Sequence, residues 1–576
     1  MTSETSRRRF LRHVTLGPVA VGTVLPLAAC GGDDDNPPVT PAPQVPVTFA
    51  HGVASGDPLS DRVVLWTRVT PERDAEVAVR WEVASDAQFA TVVRSGTATT
   101  STARDHTVKV DVAGLAPATR YHFRFAVGST VSPVGRTKTL PVGDVDAVRL
   151  AVFSCSNYPA GYFNVYAEAA RRDHFDVAVH LGDYIYEYGV GGYASDTAAA
   201  LGRLSVPPGE TLVLADYRRR HAQYRTDPQL QALHATLPMI AVWDDHEITN
   251  DTWKAGAENH TEGAEGVFAE RRAAAIQAYH EWMPTRVADA ARPDVIYRSF
   301  DFGTLLSLHM LDTRVIGRDQ QVDTAGYLAG LANDPARQLL GTEQQAWLTG
   351  RLQASTALWQ VLGQQVLMAR MHIPASVAQN PGVETMTAYI TAVNTPPGAR
   401  TPQQAALVAQ PKLPYNLDAW DGYPAAREAV LAAAKANDRN LVVLAGDTHN
   451  AWAADLTDAS GATVGVEFAT ASVSSPGFEA YLPQVPPAQL GAAFPALIDD
   501  LVYADTSRRG FLELHVARDA VRGTWVYVDT IARRDYTAAE DPTLAVRPGA
   551  GNRRLEPGTR PASLTSAGET QPVPAR

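Results

Sequence analysis

Between Arg149 and residue 537, apolar runs of strand length alternate with segments in which apolar residues recur at helical spacing. The runs RLAVFSC, FDVAVHL, LPMIAVW, LLSLHML and NLVVLAG show almost no polar alternation, as expected of strands buried on both faces. Helical spacing falls at 162–172, 212–225, 265–283, 342–354 and 425–436. The alternation predicts an α/β domain over 148–537, with sheet strands covered by helices. The preceding segment, 47–141, has short alternating runs at 62–68, 77–83, 106–112 and 120–127, separated by Gly, Pro, Asp and Ser. No helical stretch intervenes, and the spacing predicts a β-sandwich.

Within that sandwich, Leu115-Ala116-Pro117-Ala118-Thr119-Arg120-Tyr121 is similar to the tyrosine corner of fibronectin- and Ig-like sandwiches, where the phenol anchors a strand crossover. This marks the unit as structural or positioning rather than catalytic. Residues 187–211 and 373–423 are rich in Gly, Pro and small residues and predict long loops, of the kind that border a site or run over the surface. A last β-rich section covers 463–528, and the composition of 538–576 predicts a disordered tail. No internal repeat is visible. No segment after residue 30 is long and apolar enough to span a membrane.

The first residues change the picture of where the chain works. Arg7-Arg8-Arg9-Phe10-Leu11 precedes an apolar segment from Val14 to Ala29, the layout of an export leader over 1–30 that resembles the twin-arginine class. Leu27-Ala28-Ala29-Cys30 is similar to a lipoprotein processing box, which would acylate Cys30 and anchor the chain to a membrane. Residues 31–46, GGDDDNPPVTPAPQVP, have almost nothing to bury and read as a tether. The expectation is a periplasmic or extracellular protein, exported folded by the twin-arginine machinery, with any metal loaded beforehand.

With 576 residues and 45% hydrophobic composition, the chain can bury a large core and divide into more than one domain. Its 50 basic and 62 acidic residues give a net charge of −12, with no Lys/Arg block after the leader. That excludes double-stranded nucleic acid gripped along its backbone. A small anionic substrate stays open, because a metal centre supplies positive charge locally. Cysteine use is sparse: Cys30 at the processing site and Cys155 at a strand end. Once Cys30 is removed or acylated no disulfide is possible, and a metal would hold the remaining thiol as thiolate.

Candidate chemistry gathers where the apolar runs stop. They end at Cys155, at Gly182-Asp183 with Tyr186 three residues on, at Asp244-Asp245, at Asp312 and at Gly446-Asp447 with His449 two residues on. In open α/β sheets, ligands bind outside the carboxyl ends of the strands. Gly and Asp also favour ordinary turns, so one such ending means little. Five of them, three with His, Tyr or Cys close by, point to a metal-centred active site. Thiolate, carboxylate, phenolate and imidazole from Cys155, Asp183, Tyr186 and His449 suit a transition metal; phenolate favours Fe(III), and Zn(II) remains the ordinary alternative. Asp245 and Asp447 add hard oxygens for a second ion such as Ca²⁺, Mg²⁺ or Mn²⁺, and Asp183 could bridge the two. Such a pair would clamp a phosphoryl group and activate water. His246, beside Asp245, is placed to bond the substrate or protonate a leaving oxygen. His180, His221, His234, His309 and His372 lie inside strand or helix patterns and read as core or surface residues.

The motifs Phe153-Ser154-Cys155-Ser156-Asn157, Leu181-Gly182-Asp183-Tyr184-Ile185-Tyr186, Trp243-Asp244-Asp245-His246-Glu247, Leu311-Asp312-Thr313-Arg314 and Ala445-Gly446-Asp447-Thr448-His449-Asn450 together resemble the PhoD-type alkaline phosphatases/phosphodiesterases of the calcineurin-like metallophosphoesterase superfamily. His51-Gly52-Val53-Ala54-Ser55-Gly56-Asp57-Pro58 resembles the entry to that family's N-terminal sandwich, and the likeness runs over about 48–530. The resemblance implies a four-layer α/β/β/α catalytic domain and a centre of Fe(III) with Ca²⁺, the second ion being open to Mg²⁺, Mn²⁺ or Zn²⁺. It puts Cys155, Asp183, Tyr186 and His449 on the iron and Asp183, Asp245 and Asp447 on the calcium, with Asn157, His246 and Arg314 toward the phosphate. The expected activity is hydrolysis of phosphate mono- or diesters by in-line attack of metal-bound hydroxide, best at alkaline pH. Phospholipase D-type or teichoic-acid diester cleavage on the same fold is the alternative, and a non-catalytic surface-binding protein the more distant one. After Arg314 the chain continues Val315-Ile316-Gly317-Arg318 instead of the family's usual aromatic and Arg, which leaves any contact made by that aromatic without a counterpart.

Overall fold

The computed structural model describes residues 45–561. The expected leader, Cys30, most of the tether and the tail from 562 lie outside the described residues. Two β-sheets stack face to face, each covered on its outer side by helices. The first has ten strands, with Ala147–Phe153, Val177–His180 and Met239–Ala241 side by side and parallel at its centre. The second has seven, with Leu306–Met310, Trp359–Gly363 and Asn440–Ala445 parallel at its centre.

The alternation of side chains explains the unbroken apolar runs. In Asn440–Ala445, Val442 and Leu444 point into the core between the sheets, while Leu441, Val443 and Ala445 meet the outer helices Gly341–Ala354 and Pro424–Ala436. Both faces are dry, so every position from Leu441 to Ala445 is apolar. On the other side of the molecule, helix Asn164–Arg172 packs Tyr166 edge-on against Phe153, 5.3 Å between ring centroids, and Leu230 and Leu233 of helix Pro228–Thr236 join the same core. The result is helix, sheet, sheet, helix, the expected four layers.

Parallel pairing in register lines up the strand ends. Phe153 lies opposite His180, and His180 opposite Ala241, so the loops beginning at Ser154, Leu181 and Val242 leave from one line. Met310, Gly363 and Leu444 form the matching line in the second sheet. The two lines face each other across the core, and the chemistry-bearing residues follow them.

Ahead of this lies the sandwich, and Tyr121 makes the corner its motif suggests, its phenol oxygen accepting from the Ala116 amide at 2.9 Å. One layer is Gly135–Lys138, Arg120–Val127, Val77–Ala84 and Val92–Thr100; the other is Val53–Gly56, Arg62–Arg68 and Thr107–Ala113. Val63, Leu65, Val79, Phe123 and Phe125 fill the space between. The second layer is also the end of the ten-stranded sheet, joined to it through Met239 opposite Gly56. Gly56 is required there, since a Cβ would lie 2.4 Å from the Pro284 carbonyl and 2.6 Å from that of Met239.

Two expectations need correction. The segment from 538 is folded as far as Pro561: Ala538–Val546 adds to the edge of Val521–Val528, Glu556–Pro557 adds to it in turn, and Arg560 pairs with Glu513 and Glu540. Its charged, Pro-containing sequence conceals a strand that buries only Leu544, Ala545 and Val546. The stretch 373–423 is likewise more than a loop, since it holds helices Val383–Asn394 and Pro402–Ala409.

Candidate metal centre

Cys155, Asp183, Asp447 and His449 share an unusual backbone: φ is 62°, 55°, 61° and 62° respectively. Non-glycine residues reach this left-handed region at a cost, and they collect at functional sites where surrounding contacts enforce it. Here the enforcement is visible. The Cys155 amide bonds the Gly182 carbonyl at 3.2 Å, the Ser156 amide bonds that of Asp183 at 2.8 Å, and the Cys155 carbonyl receives the amides of Ser474 and Ser475. The glycine before each acid allows close approach: a Cβ on Gly182 would sit 2.4 Å from the Asp244 Cβ, and one on Gly446 2.7 Å from the Ser154 Cβ.

These turns bring the expected donors together. Ligand atoms of Cys155, Asp183 and His449 lie within 4.8 Å of one another, as do those of Asp183, Asp245 and His246, and those of Asp244, Asp245 and Asp447. The Tyr186 phenol is 3.0 Å from Asp183 Oδ2 and 3.1 Å from His449 Nε2. The Nδ1–H of His449 donates to the Pro476 carbonyl at 2.9 Å, which leaves the Nε2 lone pair on the side of the cluster, the usual arrangement of a ligating histidine. Asp183 Oδ1 and Asp244 Oδ2 are buried with no hydrogen-bond partner. Burial pushes Asp183 up, with Asp245 and Glu247 adding to it against His246; burial and then Asp183 push up the Cys155 thiol and the Tyr186 phenol. Burial raises Asp447 to about 7 despite Arg314. Buried anions in this number, with oxygens aimed at one another, are stabilised by cations among them, and the donor set fits a soft-to-borderline metal on one side and a hard one on the other.

Several residues that the sequence left without a role shape the site. Glu247 accepts the amides of Asp183 at 3.1 Å, Tyr184 at 2.5 Å and Asp244 at 2.7 Å, clamping two strand-end loops with one carboxylate. The Asp251 amide donates to Asp245 Oδ2 at 2.7 Å and fixes its rotamer. Glu187, fully buried, takes His246 Nδ1–H at 2.7 Å and is itself held by the Asn250 amide and the Thr249 hydroxyl. Burial alone would lower the His246 pKa; Glu187, Asp245 and Asp183 outweigh it and hold the imidazolium. The ring stacks on Tyr186 at 4.2 Å. The advance signals were Glu187 beside Tyr186 and Glu247 two residues after Asp245, and a buried carboxylate cannot be told from an exposed one by its letter.

Other expected residues sit differently. Asp312 is at a strand end but turns back to cap its own loop, accepting the amides of Arg314, Val315 and Ile316. Arg314 does not present an open fork to a phosphate. It is fully buried, with Nε on Asp244 at 2.5 Å, Nη1 on Asp418 at 2.6 Å and Nη2 on Asp447 at 2.7 Å, a built-in countercharge for the acids. Asn157 is buried, its Nδ2 donating to the Tyr193 carbonyl at 3.3 Å and its Oδ1 unpartnered. Arg318 packs over the Tyr423 ring at 5.0 Å and holds Asp418. As expected, His180 and His234 are core residues, bonded to Tyr166 and Tyr184 and neutral through burial.

Two stacked sheets whose facing strand ends deliver a thiol, a phenol, two imidazoles and four carboxylates to one cluster define the class as a phosphoester hydrolase of the two-sheet type. The "PhoD-like phosphatase" family model matches residues 150–525, and the "PhoD-like phosphatase, N-terminal domain" model matches 36–141. The chain is 40% identical over 449 residues to "Alkaline phosphatase D" of Bacillus subtilis (strain 168), covering 74% of this chain and 70% of that one. The solved "Structure of PhoD" superposes with a TM-score of 0.74 at 33% identity, covering 89% of this chain and 92% of that one. The chain belongs to the PhoD-like phosphatase family and is a PhoD-type phosphoesterase.

Proposed function

We propose that the protein hydrolyses phosphate monoesters and diesters at a two-ion centre, with Cys155, Asp183, Tyr186 and His449 holding Fe(III) and Asp183, Asp245 and Asp447 holding Ca²⁺. The convergence of a thiol, a phenol, an imidazole and Asp183 from three separate loops carries this reading. When bound, the ions would polarise the phosphoryl oxygens and lower the pKa of water, which makes hydroxide available from neutral pH upward, in keeping with an alkaline optimum. The chain's own part is orientation and proton transfer. Glu187 fixes the His246 ring through Nδ1, and Nε2, which has no hydrogen bond among the described residues, is the atom that would protonate the leaving oxygen. Arg314 bridges Asp244 and Asp447, fixing their positions and offsetting their charge. Asn157, in the loop after Cys155, would contact substrate by turning its Nδ2 donor from the Tyr193 carbonyl to a phosphate oxygen.

Hydrolysis of 4-nitrophenyl phosphate and of its bis ester, measured with elemental analysis, tests the reading. Wild type should turn over at least one ester and hold both ions; Cys155→Ser and Asp183→Asn should lose activity and iron together. Full activity in both variants with unchanged metal content would overturn it.

Export and anchoring belong to the same proposal. Arg7-Arg8 and the apolar segment ending at Cys30 support twin-arginine transport and acylation. Membrane fractionation of wild type and Cys30→Ala checks this: the variant should leave the membrane fraction, and equal membrane association in both would count against a lipid anchor.

A further inference from the structure

Beside the cluster lies a cavity of about 300 Å³ with Asp447 and His449 in its floor. Its walls are Tyr415, Phe478 and Tyr481, with Asn416 at the side. The aromatic wall is rigidly backed. Tyr415 and Phe478 are 5.7 Å apart between ring centroids, Trp452 meets Phe478 edge-on at 6.1 Å, and Phe494 packs on both Phe478 and Trp452. The segment bearing Phe478 is pinned by its amide on Asn450 Oδ1 at 3.1 Å and by Gly477, where a Cβ would lie 2.7 Å from the Thr506 carbonyl. Tyr481, by contrast, is 63% exposed and forms the outer lip. The Tyr415 hydroxyl is buried without a partner among the described residues.

The charge of the cavity is as informative as its shape. No Lys or Arg lines it, and its one carboxylate, Asp447, is already taken by Arg314. A further phosphate or carboxylate placed here would find no cationic side chain of its own among the lining residues. A flat, uncharged ring would meet two or three aromatic faces at offset or edge-on geometry.

We propose that this cavity is the subsite for the alcohol arm of the ester, and that it selects arms presenting an uncharged ring over arms carrying a second anionic group. The assignment rests on the phosphoesterase reading of the adjoining cluster and names the substrate class for it. Tyr415, Phe478 and Tyr481 are the specificity residues.

Phosphonates, whose C–P bond is not hydrolysed, separate binding of the arm from turnover. The probes are phenylphosphonate, methylphosphonate and 2-carboxyethylphosphonate, titrated calorimetrically into the purified full-length protein. Phenylphosphonate should bind about tenfold tighter than methylphosphonate, as expected for burying one ring face, and carboxyethylphosphonate no tighter than methylphosphonate. Tyr481→Ala and Phe478→Leu, which keeps the buried volume but removes the flat face, should each reduce the phenyl preference to about threefold or less while leaving methylphosphonate affinity unchanged. Equal binding of the phenyl and methyl compounds by wild type, tighter binding of the carboxyethyl compound, or a phenyl preference that survives both variants would overturn the subsite. Turnover of 4-nitrophenyl phosphate, run in parallel, reports on the underlying reading: no hydrolysis with an intact phenyl preference would defeat the phosphoesterase assignment and leave the subsite standing.

Discussion

Asp57 and Asp183 are the same figure used for opposite ends. Each is a fully buried aspartate that follows a glycine at a strand end, with φ of 43° and 55°. Around Asp57 the structure closes: Arg298 bonds both carboxylate oxygens at 2.6 and 2.9 Å, and the Arg286 amide adds a third bond at 2.6 Å. Around Asp183 it stays open, with one oxygen unpartnered and Asp245, Glu247 and Asp447 as neighbours. The first joins the sandwich to the catalytic layers, and the second is a place for a cation. What separates structural from functional is the charge of the partners, which a Gly-Asp pair in the sequence does not reveal.

The largest effect should come from exchanging each acid for its amide. Asp183→Asn is expected to lower turnover by about 10³-fold and to raise the melting temperature of the metal-stripped protein, because one anion leaves a crowded cluster. Asp57→Asn should do the reverse, leaving metal content unchanged while costing about 3 kcal/mol in denaturant unfolding, since it strands Arg298 without its buried partner. If both variants lose stability equally, the distinction between the two sites fails.

Next in size is Glu187→Gln. It keeps the shape but weakens the hold on His246, and kcat should fall about 10- to 100-fold for alkyl esters with unchanged metal content. The loss should shrink for 4-nitrophenyl phosphate, whose leaving group needs no proton, and a uniform loss across leaving groups would mean that His246 is not the proton donor.

The smallest expected effect on activity lies away from the centre. Glu467 is raised to about 7, by burial above all, although it accepts the amides of Met368 and Ala369 at 2.7 and 2.9 Å. A carboxyl whose folded pKa exceeds its unfolded one stabilises fully below the unfolded value and loses that contribution as pH rises through the folded value. Stability should therefore fall between about pH 4.5 and pH 7, by on the order of 3 kcal/mol, and Glu467→Gln should flatten that part of the profile. Unfolding curves at several pH values for the two proteins decide it.

The layers and the ligand cluster were legible in the sequence because both are repeated. Five apolar runs end in polar residues, and in-register parallel strands convert that repetition into proximity without further information. What stayed hidden was set by long-range partners. Arg314 has the sequence context of a phosphate-binding arginine, yet Asp418, 104 residues away, and Asp244 and Asp447 draw it inward. Glu187 and Glu247 look like ordinary acids until burial makes each a bracket for its neighbours. Strand Ala538–Val546 is too polar to announce itself and exists because Val521–Val528 offers it an edge. The continuity of sandwich and catalytic sheet depends on a single pairing, Met239 with Gly56, which no local pattern encodes.

The measurement that bears most directly on the cluster is the visible absorption of the purified protein together with its iron content, for wild type and Tyr186→Phe. A phenolate on Fe(III) gives a charge-transfer band, so wild type should be coloured with about one iron per chain, and Tyr186→Phe should lose the band while Cys155, Asp183 and His449 retain part of the metal. A colourless, iron-free wild type that still hydrolyses phosphate esters, or a band unchanged in Tyr186→Phe, would contradict the assignment of these four residues to one ion.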